Sequence, residues 1–480
     1  MAALEIPRDH LVGPLRQAKL DQLPTFSENV SRVERDNYLE KAFKNILNRG
    51  ELYPLGISLD LPKAQAEIAE FESQVNVVTG QGSRTLTDQI EQLFQRFTPG
   101  SKKFKATNRD AYKEQLYKFL SERGFDENIP LAKQLENTGS IFYFPLGIGR
   151  DRKLIVNKIL FPPPHLQYEL LTASAWNLVD PEAQRVLKHS RASVIGLSVG
   201  IRNLQSLLAL GVTDFDIGDP TILHADVMGR IDDFGYNPNF HGVNKTLVAV
   251  NGIMRRFPYA RIRAFLDGIT PANYTEYFRG NLLGDSHIQN GGRWIISEEV
   301  DDFTGKALTR KGARLLPDNI PWDLIMIGDV GHRATFFHEN RLVEAFQGVF
   351  DRINLGDIYG DKFVSENSNL LALFGSVGGF EGIPLELLQL LQQGKIGDRP
   401  EAAITRVPQT FGATALTQAL FFEAVRLIAG NQCLKPFAVF DLEKGLIEMD
   451  EEEYLETLNQ ELFIQKNMNT AMFGRGSLLV

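Results

Sequence analysis

Residues 192–200 read Ala-Ser-Val-Ile-Gly-Leu-Ser-Val-Gly, and an apolar helical run leads from them to Phe215-Asp-Ile-Gly-Asp219. An apolar strand that ends in a glycine turn and feeds a helix gathers free backbone N–H groups and the positive end of a helix dipole at one point, which suits a nucleotide phosphate. Asp219 stands 23 residues beyond Gly196, close to the offset of about 20 at which a second strand delivers an acidic side chain to a ribose hydroxyl. A lone lysine, Lys245, comes next. The glycines alone have a second reading, since many strand-to-helix turns need glycine only for their backbone.

The pattern on either side divides the chain. Residues 1–140 mix charged and apolar residues at helical spacing, as in Leu86–Phe97 and Tyr112–Leu120, and predict a mostly helical N-terminal domain. Residues 141–165 carry short β-prone runs, Ser140–Phe144 and Lys153–Val156, broken by Gly147, Gly149 and the prolines 162–164, and read as a linker or rim segment. From 166 to 446 strands alternate with helices, predicting a Rossmann-like α/β domain whose mainly parallel sheet has flanking helices. Residues 447–480, opening on Glu448-Met-Asp-Glu-Glu-Glu-Tyr454, read as an acidic tail or solvated helix.

Composition excludes several classes of function. With 51 Lys and Arg against 60 Asp and Glu, the net charge is −9, so the chain lacks the basic footprint of a nucleic-acid binder. A single cysteine, Cys433, excludes an intramolecular disulfide framework and any multi-cysteine metal cluster, and fits a reducing cytoplasmic setting. Glu5 and Pro7 interrupt the stretch where a secretory signal needs a long apolar run. No uncharged apolar run approaches the roughly 20 residues that span a bilayer, so no membrane role is expected.

More residues join the glycine turn downstream. Asp219 is followed by Arg230; Lys245 lies in Gly242-Val-Asn-Lys-Thr ahead of an amphipathic helix; Trp294–Phe303 is a strand ending in Val-Asp-Asp. A helix over Gly412–Gly430 and a strand Phe437–Asp441 close the series. On these positions, residues 170–445 resemble the ThiF/MoeB family of adenylyltransferases, the fold shared with ubiquitin-activating enzymes. The resemblance implies ATP-dependent adenylation of a carboxylate, carried by a peptide, a small carrier protein or a small acid. Gly196, Ser198 and Gly200 would face the phosphates and Asp219 the ribose, Arg230 and Lys245 would neutralise charge on the phosphoryl oxygens, and Asp301 would hold Mg2+. It also implies a homodimer. Asp301 best matches the family's metal-proximal aspartate, with its neighbours Asp302 and Glu298 as competitors, and it ranks above Asp329 because it lies 56 residues beyond Lys245 rather than 84.

Departures from the family pattern are equally specific. Ser198 and Val199 occupy the turn where more glycine is usual; Thr221 stands where a second aspartate is expected, and Val227 where an asparagine is. Trp176–Gln184 lacks the arginine that family members lend to a partner subunit. Cys433 lies just past a helix and reads as structural, so the acyl-adenylate would pass to an external nucleophile. Two other classes stay open. The substitutions allow a catalytically degenerate fold that serves as a binding or dimerisation module. Gly196-Leu-Ser198-Val-Gly200 also matches the nucleophile elbow of α/β-hydrolases, with Ser198 as nucleophile and His332 or His338 following Asp301 or Asp329.

Overall fold

The structure is a computed structural model. It describes residues 4–6, 31–48, 55–58, 61–79, 139–173, 178–224, 240–279, 290–300, 303–330, 333–342, 411–432, 435–441 and 445–450, with single positions between 114 and 134 and at 175, 288, 452, 453 and 456. In chain order the elements are β1 (Leu4–Ile6), α1 (Arg32–Asn48), β2 (Leu55–Ser58), α2 (Leu61–Gln74), β3 (Asn76–Thr79), β4 (Ser140–Ile148) and β5 (Leu154–Phe161). There follow α3 (Pro164–Thr172), α4 (Pro181–Lys188), β6 (Arg191–Ile195), α5 (Gly200–Ala209), β7 (Asp214–Gly218), α6 (Lys245–Arg256), β8 (Arg261–Phe265) and α7 (Tyr274–Arg279). The series ends with β9 (Trp294–Glu298), α8 (Phe303–Ala313), β10 (Trp322–Val330), β11 (Arg333–Glu339), α9 (Phe411–Ala429), β12 (Phe437–Asp441) and β13 (Gly445–Met449).

Among the described residues nine strands form one sheet in the order β1-β8-β7-β6-β9-β10-β11-β12-β13. Its five central strands, β8 to β10, are all parallel, as expected where each strand is followed by a helical crossover. Antiparallel strands extend both margins, β1 on one side and β11 to β13 on the other. The chain runs outward from β6 through β7 to β8, then returns to lay β9 and β10 on the opposite side of β6. This is the doubly wound α/β order, and its reversal point lies between β6 and β9.

The two faces of the sheet differ in chemistry. One carries Ala192, Val194, Phe215, Ile217, Ile262, Ala264 and Ile295, set level by the strand register and covered by α5, α6 and α9. The other carries charge. Arg191 donates two bonds to Asp216 at 2.6 and 2.7 Å, Arg263 donates a third at 2.5 Å, and Arg261 pairs with Asp214. Farther along the same face Glu298, fully buried, pairs with Lys306 and Arg310, and Arg310 also meets Glu339. Burial opposes ionisation of Asp216 and Glu298, but the adjacent cations outweigh it and hold both carboxyls below their ordinary range. Helices α7 and α8 close this face, with Tyr277 and Phe278 packed beneath them against Phe265 and Trp294.

A second sheet has the order β2-β4-β5-β3. Residues 141–165, expected as linker or rim, instead supply its two longest strands, and only the β-prone runs within them were anticipated. The prolines do not mark a break. Pro164 is the first residue of α3, where a missing N–H costs nothing, and the Pro162 carbonyl accepts the Tyr259 hydroxyl at 2.7 Å. Residues 1–140 contribute α1 and α2 but also β1, β2 and β3; Leu86–Phe97 falls outside the described residues, and Tyr112–Leu120 does so apart from positions 114, 118 and 120. Phe142 stands edge-on to both Phe161 and Tyr259, so the two sheets share one core. At the other end, Glu448 and Met449 belong to β13, and helical positions begin after Asp450, which exchanges backbone-to-carboxylate bonds with Glu453 in a capping box. No helix among the described residues is long and apolar enough to cross a membrane.

Candidate nucleotide site

The glycine turn sits at the carboxyl end of β6, where the strand order reverses, the place where open α/β sheets hold their ligands. Gly196 has φ +88°, and a Cβ there would overlap the carbonyl oxygen of Glu299 at the end of β9. The turn is thus pressed against the neighbouring strand end with no room for a side chain. Gly200 opens α5, and a Cβ would lie 3.2 Å from Val194 and 3.3 Å from Glu299, so this glycine lets the helix pack closely on the sheet. Gly196→Ala should lower stability by about 2 kcal/mol or more, from the left-handed backbone and the overlap combined. A urea midpoint equal to that of the wild type would contradict it.

Asp219 follows β7 and is buried. Its Oδ2 accepts the Leu197 N–H at 2.7 Å, and Oδ1 accepts both the N–H and the hydroxyl of Thr221. Three of the roughly four acceptor positions of the carboxylate are therefore used to tie the glycine turn to the end of β7. Thr221, standing where a second aspartate was expected, buttresses the first. The Asp219 backbone is clamped as well, since its N–H donates to the Thr246 hydroxyl at 2.8 Å and its carbonyl accepts the Asn244 amide at 3.1 Å.

Lys245 is the first residue of α6, whose N-cap is Asn244, with its side-chain oxygen accepting the Thr246 N–H. Its ammonium reaches back across 47 residues of sequence to donate to Ser198 Oγ at 2.8 Å. Lys245 is only 6% exposed and forms no ion pair among the described residues. A buried cation at the positive end of a helix, with no ion pair among the described residues, is an arrangement that invites an anionic ligand. Gly196, Ser198, Gly200, Asp219 and Lys245 thus come together at the carboxyl end of β6.

Arg230 and Asp301 lie outside the described residues, as do Asp302, Val227, His332 and Cys433. Val300, the residue before Asp301, has its N–H against the Gly196 turn. Glu298 lies on the charged face below, paired with Lys306 and Arg310. Glu299, which sequence reasoning passed over, accepts the Asn203 amide of α5 at 2.8 Å. The backbone of Asp329 lies near the end of β10, two strands from β6. His338 bonds to Asp323 at 2.9 Å and stands level with Val194 but three strands away, roughly 14 Å at ordinary strand spacing. Ser198 therefore has Lys245, not that histidine, as its partner. Asn244 and Thr246 were also missed, although an Asn before a helical run is a legible cap signal. Among the described residues no group of three or more His, Cys, Asp or Glu is set to hold a metal ion.

No family model matches the chain, and no curated protein does. Among solved structures it aligns with PaaA at 14% identity and a TM-score of 0.34, over 59% of this chain and 70% of that one. It aligns with E. coli MccB crystallised with ATP at 13% identity and a TM-score of 0.35, over 60% and 70%. It also aligns with the microcin C7 biosynthetic enzyme MccB in complex with N-formylated MccA, at 14% identity and a TM-score of 0.34, over 77% and 90%.

Proposed function

We propose that the chain activates a carboxylate by ATP-dependent adenylation. The observation that carries this reading is Lys245, buried, without an anionic partner among the described residues, and held 2.8 Å from Ser198 at the reversal point of the sheet. In the reaction a carboxylate oxygen attacks the α-phosphorus of ATP and pyrophosphate leaves, so two anions must approach while charge spreads over the phosphoryl oxygens. Lys245 would offset that charge beside the first turn of α5, and Arg230 would add a second cation. Asp219 has an acceptor position left for a ribose hydroxyl. Asp301 is the residue we assign to Mg2+, which it would hold and which would supply further positive charge against the phosphates.

The carboxylate would belong to a peptide, a small carrier protein or a small acid, and the acyl-adenylate would pass to an external amine or sulfur nucleophile. We place the reaction in the cytoplasm, in a homodimer. The internal engagement of Asp219 favours a second reading, nucleotide binding without turnover in a binding or dimerisation module. ATP–pyrophosphate exchange separates the two. A catalyst exchanges label only with its carboxylate present; a module binds ATP and exchanges with none; a Ser198 hydrolase ignores ATP. Asp301→Asn should cut exchange by about a hundredfold, the scale of one lost transition-state charge contact.

A further inference from the structure

We propose that Asn48, the last residue of α1, is a positioning residue for Lys245; the catalytic part of this inference rests on the adenylation reading above. Asn48 does not touch Lys245. It grips the segment that delivers it: Asn48 Oδ1 accepts the Asn244 N–H at 2.7 Å, and Asn48 Nδ2 donates to the Gly242 carbonyl at 3.0 Å, across 196 and 194 residues of sequence. The side-chain amide uses both its donor and its acceptor on one short stretch of backbone, as the edge of a neighbouring strand would.

The opposite edge of that stretch is held by residues 221–223. Gly242 N–H donates to Leu223, Leu223 N–H donates to Val243, and Lys245 N–H donates to Thr221. Residues 242–245 are therefore fixed from two sides, and one of the sides is a helix from the N-terminal part of the chain. Asn48 is itself well seated, because Leu39, Phe43, Ile46 and Leu47 of α1 are all buried in the common core. From there the constraint passes through Asn244, which caps α6 and bonds to the carbonyls of Asp219 and Leu266. Released from Asn48, the Asn244 N–H and the Gly242 carbonyl lose their partners, and the start of α6 loses the support that aims the ammonium at Ser198.

The test is lysine acylation read by mass spectrometry on the full chain, wild type against Asn48→Ala. The expected result is Lys245 acylated about fivefold faster, the opening that loss of the two part-buried Asn48 hydrogen bonds allows, with Lys306, buried on the far side of the sheet, unchanged. A rise at neither lysine overturns the inference, and so does an equal rise at both, which is general loosening. In exchange, Asn48→Ala should lower kcat about tenfold with KM for ATP held within a factor of about two, and add no further loss to Lys245→Ala. A wild type that exchanges with no carboxylate removes the adenylation reading, and the labelling comparison then decides Asn48 alone.

Discussion

Lys245→Ala should reduce carboxylate-dependent ATP–pyrophosphate exchange by about a hundredfold or more while leaving the fold as stable as before, or more so. The two halves come from one observation. Lys245 is buried, begins a helix whose dipole opposes its charge, and among the described residues its ammonium meets a neutral hydroxyl, that of Ser198, and no carboxylate. A cation in such a place is a net cost to the folded chain until an anion arrives, so its removal relieves the protein as it disables the site. A structural lysine behaves in the opposite way: its loss lowers the melting temperature and leaves exchange where it was. Retention of full exchange by the alanine variant would remove Lys245 from the chemistry. A drop in the melting temperature in step with activity would assign it to the fold.

Asp216→Ala should destabilise the protein by about 3–5 kcal/mol, the scale of breaking a buried ion pair from one side. The carboxylate is fully buried and receives three hydrogen bonds from Arg191 and Arg263, so its loss takes that acceptor from two guanidinium groups and leaves Arg191 facing Asp214 at 3.6 Å. Arg263 keeps its bonds to the carbonyls of Glu276 and Tyr277, which moderates the effect at that end. The same group shapes the acid limb of stability. Burial raises the Asp216 pKa but the arginines lower it more, so the folded value lies below the unfolded value of about 3.9. Its contribution is then complete above about pH 4 and is lost as the pH falls through the lower, folded value. Urea midpoints between pH 7 and pH 2 should show that acid limb in the wild type and a flatter one in the variant. Parallel acid limbs would mean that Asp216 does not carry it.

The glycine turn, the Asp219 offset and the placement of Lys245 were legible because each belongs to a local pattern of strand, turn and helix. Their mutual contact follows from the strand order once that order is known. What could not be read was assembled from distant parts of the chain. Asn48 meets Gly242 and Asn244 only because α1 shares a core with the large sheet, and nothing in residues 32–48 announces that contact. Residues 141–165 misled for a different reason. Proline and glycine mark a boundary when they interrupt an element, but here Pro164 begins a helix and Gly147 lies at an irregularity within β4, so the punctuation fell inside ordered structure. The charged face had a signal that went unread. Asp214-Phe-Asp216 and Arg261-Ile-Arg263 alternate at the strand period, with opposite charges on adjacent parallel strands.

That alternation bears on how the sheet finds its alignment. Side chains in a strand change face at every residue, so a slip of β7 by one position would turn Asp214 and Asp216 toward Val194 and Ile262 and expose Phe215 and Ile217 to the arginines. A strand of aliphatic residues on both faces would tolerate such an error at small cost. Here the misaligned state buries carboxylates against hydrocarbon and leaves three guanidinium groups without their counterions, a penalty large enough to reject it. The end of β7 is where Asp219 meets the glycine turn, so the charges buried deep under the sheet fix, residue by residue, which side chain arrives at that turn.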